Sequence, residues 1–256
     1  MNHPTSHLGT IAIIACDVLR DEVVALVKGT SRVATTLFLR QGLHNDPPLL
    51  RTELQQAVNQ IEEQYPQVQQ VALVYGLCSR GIEGVSTARC SLIIPRAHDC
   101  ITLLLGDRKA YDEQIRTHPG TYWYSPGWNR CHIPPGPERY NHAAEEYRKR
   151  FSEDDVQYLL ETEQAWMQQY TRAAYVELPV APSEDEAKKT RDCADWLKWE
   201  YTRFSGDVSL LRDLVTGHWD DERYLVLGPG QSAVLSADDR IIKPEEIRII
   251  RKQETA

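Results

Sequence analysis

The chain has 256 residues, 41% of them hydrophobic and 26% charged, with a formal net charge of −8. These proportions belong to an ordinary globular protein long enough to bury a substantial core, and they exclude a disordered chain. The acidic balance, without any dense Lys/Arg run, excludes a binder of the nucleic-acid backbone, and no apolar run approaches the roughly 18 residues that a membrane helix needs.

The N-terminus has neither a basic start nor an apolar stretch, so a cytoplasmic protein is expected, and His3 and His7 receive no role. Residues 11–15 are a short apolar run of parallel-strand type, followed at once by Cys16. Residues 17–27 predict a helix with Asp17 as N-cap and Gly29 beyond its end. A second strand follows at 33–39. Residues 47–64 predict a second helix, because Leu50, Leu54, Val58 and Ile61 recur every three or four positions. A third strand at 71–75 enters a loop that carries Cys78, and a fourth occupies 91–95. This rhythm predicts an α/β fold with a mostly parallel, Rossmann-like sheet flanked by helices. Asp99 can cap the next helix, placing Cys100 in its first turn, where the helix dipole favours a thiolate.

Residues 118–131, rich in Pro, Gly and aromatics, predict an ordered loop. Its Tyr122, Trp123 and Trp128 either wall a pocket over the strand ends or pack the loop onto the sheet. Residues 137–170 predict two amphipathic helices broken near Ser152, giving a helical insertion at about 131–171 in a single domain spanning 1–256. Further strands are expected at 173–178, 199–204 and 224–227. Helices are expected at 183–196, behind the capping box Ser183-Glu-Asp-Glu186, and at 207–215. The residues from Lys252 are expected to fray.

The loop after the third strand carries Gly76, Gly81 and Gly84 without the spacing or Lys-Ser/Thr ending of a phosphate cradle. Nucleophile elbow, paired-histidine zinc helix and dinucleotide fingerprint are all absent. What remains is Cys16, Cys78 and Cys100, each just beyond a strand, with His98 beside them. Carboxyl ends of strands are where open α/β sheets bind ligands. Soft thiolates select zinc or an iron–sulfur cluster, and three cysteines leave a coordination position open, whereas His98 as fourth ligand makes the site structural. The expectation is therefore a metal-dependent protein acting on a small-molecule substrate, with an iron–sulfur cluster ranked ahead of zinc. Two alternatives stand beside it: a non-catalytic metal, cluster or cofactor carrier, and a metal-free enzyme with Cys100 as nucleophile and His98 as base. Arg96 and Arg80 are the candidate clamps for a substrate carboxylate or phosphate, with Tyr122 and Trp123 as pocket walls. Cys90, Cys131 and Cys193 read as packing.

Several stretches carry a resemblance. Ala15-Cys-Asp-Val-Leu-Arg-Asp-Glu22, Tyr75-Gly-Leu-Cys78, Ile94-Pro-Arg-Ala-His-Asp-Cys-Ile-Thr-Leu-Leu-Leu-Gly106 and Pro119-Gly-Thr-Tyr-Trp-Tyr-Ser-Pro-Gly-Trp128 resemble the motifs of the family catalogued as domain of unknown function 1638. The stretch from Gly206 to Asp220 is similar to that family's C-terminal part, and Gly228 stands where a proline is expected. The resemblance brings no established activity. It implies that Cys16, Cys78 and Cys100 belong to the family pattern. It also implies an association with corrinoid-dependent methyl transfer, hence one-carbon metabolism and a corrinoid or methyltransferase protein as partner.

Overall fold

A computed structural model of the chain describes residues 9–247, so His3, His7 and the tail from Lys252 lie outside the described residues. The first apolar run forms β1 (Thr10–Cys16), and Ile11 to Ala15 are fully buried. Burial on both faces is what an unbroken apolar run demands of a strand. A 3-10 turn, Asp17–Leu19, then leads into α1 (Arg20–Val27), so Asp17 opens that turn instead of capping a longer helix.

After β2 (Val33–Leu39) comes α2 (Pro47–Gln64), whose N-cap Asp46 accepts a hydrogen bond from the Leu49 amide at 3.1 Å. Leu50, Leu54, Val58 and Ile61 are fully buried, as their helical spacing requires. β3 (Val68–Val74) and β4 (Ser91–Pro95) follow, and α3 (Cys100–Leu105) begins at the expected thiol. The chain continues through α4 (Arg108–Thr117), β5 (Thr121–Tyr124), α5 (Pro126–Cys131), α6 (Pro137–Arg148), α7 (Glu153–Gln164) and β6 (Arg172–Glu177). It then forms α8 (Glu184–Leu197), β7 (Glu200–Ser205), α9 (Ser209–Thr216), β8 (Tyr224–Leu227), β9 (Gln231–Leu235) and β10 (Ile242–Glu246). Among the described residues no helix is long and apolar enough to cross a membrane.

Where the sequence suggests one domain, the backbone divides into two compact units. The first holds the described residues up to Cys16, those from Leu26 to Cys100 and those from Leu210 onward; the second holds Asp17–Ala25 and Ile101–Ser209. Both are α/β, with mostly parallel strands. In the first, five strands run in the order β2-β1-β3-β4-β8, parallel except where β8 pairs antiparallel with β4. The apolar face of α2 packs with Val71, Leu73, Leu92 and Ile94 in one core. β9 and β10 form a separate antiparallel pair.

In the second unit, β5, β6 and β7 make a three-stranded parallel sheet with β6, buried along its whole length, in the middle. Ala187, Cys193 and Ala194 of α8 close over Tyr124, Ala173 and Tyr175. Ser183 caps α8 by accepting from the Glu186 amide at 3.4 Å, and α6 and α7 share a small core of Ala144, Val156 and Leu160. The strand expected at 173–178 therefore belongs to a sheet of its own, and the stretch expected as loop holds β5 and α5.

Candidate functional site at the strand carboxyl ends

Strand order in the first unit decides where its loops go. β1 is followed by β2 on one side, whereas β3 is followed by β4 on the other, so the adjacent strands β1 and β3 send their connections in opposite directions. The ladder between them ends at the pair Ala15 and Val74, beyond which lie Cys16 on one strand and Tyr75 to Cys78 on the other. Diverging connections open a crevice at the carboxyl ends, the usual ligand position in an open α/β sheet.

The loop after β3 is fastened to the loop after β4. The Leu77 amide donates to the Ala97 carbonyl at 2.8 Å, and the Cys78 amide to the His98 carbonyl at 3.1 Å. The two chains approach so closely that a Cβ on Gly76 would stand 2.5 Å from the Asp99 amide nitrogen, so glycine is needed there. The Gly81 amide then donates to the Cys78 carbonyl at 3.0 Å, closing a tight turn in which Cys78, Ser79 and Arg80 have φ of 44°, 55° and 71°. Left-handed conformation costs a residue with a Cβ on the order of 1–3 kcal/mol, and such strain concentrates where a loop must hold groups in place.

Cys16, Cys78 and Cys100 are half-buried thiols of the first unit that influence one another's ionisation. Burial, seconded by Cys16 and Asp99, pushes the Cys78 thiol up to about 12. The Cys100 thiol is pushed well above its ordinary value, by burial first and then by Asp99, Cys78 and Cys16. The expectation of a thiolate at the start of α3 is thus reversed. Desolvation outweighs the dipole of a six-residue helix. His44, in the 3-10 turn Leu43–Asn45 that follows β2, feels Asp99 as well, and burial lowers its pKa against that attraction. The loops after all four parallel strands therefore contribute to this rim. No spacing pattern marks His44 in the sequence, where it is one residue of a Gly-Leu-His-Asn turn.

The metal reading is overturned. Among the described residues, no group of three or more His, Cys, Asp or Glu side chains could hold a metal ion. This removes the iron–sulfur, zinc and carrier functions expected of Cys16, Cys78, Cys100 and His98. Residues can share a rim and interact electrostatically without their donor atoms converging on one centre at the roughly 2.3 Å that a metal–sulfur bond requires. Burial that holds the Cys100 thiol protonated also works against the nucleophile role expected of it.

Arg96 is engaged in structure, not aimed at a ligand. It is 4% exposed, and it donates to the carbonyls of Asp221 at 3.1 Å, Arg240 at 3.0 Å and Ile242. Arg80, by contrast, has a side chain 63% exposed, held from the turn's own side by Glu83 at 2.9 Å. Tyr122 and Trp123 lie on β5 in the second unit. Tyr122 packs among Tyr124, Trp166, Tyr170 and Trp199 with ring centroids 5.1–6.2 Å away, and Trp123 packs on Phe204 at 5.4 Å. Both rings are thus packed against other aromatic residues of the second unit.

Residues 38–215 match the family model described as "Protein of unknown function (DUF1638)". No curated protein matches the chain, and no solved structure does.

Proposed function

Because the chain belongs to the DUF1638 family, whose description assigns no function, we propose one from the geometry: the first unit binds a small organic molecule in the crevice between β1 and β3. The observation that carries this reading is the reversal of strand order at that point, which supports a Rossmann-like reading of the first unit. The strained turn at Cys78 to Arg80 supports it, since such backbone is retained where it positions groups. In this reading Cys16, Cys78 and Cys100 supply a polarisable, weakly donating wall, and the exposed guanidinium of Arg80 meets a carboxylate or phosphate of the ligand. The six cysteines left as thiols support a reducing, cytoplasmic setting.

The test is a thermal-shift titration with a panel of small carboxylic acids and organic phosphates, on wild type, Arg80→Gln, Cys78→Ala and Tyr122→Phe. A ligand of this site stabilises wild type and Tyr122→Phe alike and loses about tenfold in affinity, or about 1.4 kcal/mol, with Arg80→Gln. Equal affinity in all four proteins, or a loss confined to Tyr122→Phe, would overturn the proposal.

A further inference from the structure

Glu22, in the first turn of α1, is 1% exposed, and neither of its carboxyl oxygens finds a hydrogen-bond donor among the described residues. The charges around it are committed elsewhere within the second unit. Arg130 on α5 pairs with Asp21 and donates to the Asp17 carbonyl at 3.1 Å. The Asp17 carboxylate in turn receives Arg20 and, at 3.5 Å, the Cys131 thiol. α5 presses on this turn so closely that Gly127 leaves no room for a Cβ against the Val18 carbonyl. A carboxyl enclosed in this way, with its neighbouring cation claimed by Asp21 and a backbone carbonyl, is costly to ionise in place.

We propose that Glu22 is a proton-operated latch: while its carboxyl is neutral the first turn of α1 stays docked in the second unit, and ionisation frees that turn so that the carboxylate can reach water. The charged groups that act on it are Asp21 on α1 itself and Arg130 on α5; Asp17 on the preceding turn and Cys131 on α5 bond to each other beside Arg130. Burial raises the Glu22 pKa to about 7; Asp21 adds to the rise, while the backbone amide and Arg130 oppose it. The latch therefore works across neutrality.

Hydrogen–deuterium exchange of residues 20–27 in the full chain, corrected for intrinsic rates, tests this in wild type and Glu22→Gln. Relative to the variant, the opening constant of α1 in wild type rises about tenfold from about pH 6 to about pH 8.5, while α8 serves as the unaffected reference. Equal pH dependence in the two proteins would overturn the latch. Should Glu22→Gln fail to fold, a carbon-detected NMR titration of wild type decides: a Glu22 carboxyl titrating near neutrality upholds the latch, and one in the ordinary carboxylate range sinks it.

Discussion

The two units house a carboxyl differently, and a pair of glutamates shows the difference. Glu62, on α2 of the first unit, accepts hydrogen bonds from three successive amides, those of Ala88 at 2.9 Å, Arg89 at 2.7 Å and Cys90 at 2.9 Å. Burial pushes its pKa up, but the three amides together outweigh burial and lower it. Glu22 in the second unit is enclosed more completely, its own amide and Arg130 oppose burial without outweighing it, and its pKa rises. Burial alone therefore does not decide the fate of a carboxyl; the supply of donors does. The first unit satisfies this carboxyl and carries left-handed backbone at Cys78 to Arg80 and at Ile241; the second carries it at Lys198 and leaves the Glu22 carboxyl enclosed.

The largest expected effect comes from giving Glu22 a neutral isostere. Its folded pKa of about 7 lies above the ordinary 4.5. The stabilisation associated with its proton is thus complete below the unfolded value and disappears as pH rises through the folded one. At about pH 8, Glu22→Gln should be more stable than wild type by about 3 kcal/mol, and at about pH 4 the two should be nearly equal. Urea unfolding at both pH values checks this, and a pH-independent difference would break the contrast with Glu62.

A smaller effect of opposite sign is expected at Glu62. Its lowered pKa means a contribution present above the ordinary carboxylate value and lost as pH falls through the folded one. Glu62→Ala should cost about 2 kcal/mol near neutrality, in line with hydrogen bonds to a charged group, and progressively less in acid. The same unfolding experiment reads it. Smallest is the backbone: Ser79→Gly should stabilise by about 1 kcal/mol, because glycine adopts a φ of 55° without a Cβ penalty. If denaturant midpoints show no gain, the turn is not where the first unit carries its strain.

What the sequence made legible follows from the strength of its patterns. β1, α2 and β4 were readable because unbroken apolar runs and a clean helical repeat leave few alternatives, and the buried residues of α2 match that repeat. α4 was not legible because it buries none of its residues and offers only Ala110, Tyr111 and Ile115 as apolar positions. β5 and α5 were hidden in four and six residues between Gly120 and Cys131, too short for any period to show. β10 keeps one buried residue and a proline. At the candidate site, the position of Cys16, Cys78 and Cys100 beyond strand ends was readable from spacing. Their ionisation was not. It depends on desolvation by neighbours distant in sequence, as does the engagement of Arg96 with carbonyls more than 120 residues away. Glu22 looked like an acid favouring a helix start, and only packing reveals its enclosure.

The antiparallel strand at the edge of the first sheet has a consequence for synthesis. Leu92 of β4 pairs with Leu227 of β8, 135 positions later. At translation rates of about 5–20 residues per second, the nascent chain holds β4 for roughly seven seconds or more before its partner leaves the ribosome. Throughout that interval, the hydrogen-bonding edge of a strand as apolar as Leu92-Ile-Ile94 can template pairing with another chain. Ribosomes stalled or messages truncated ahead of Tyr224 would release chains with that edge uncovered.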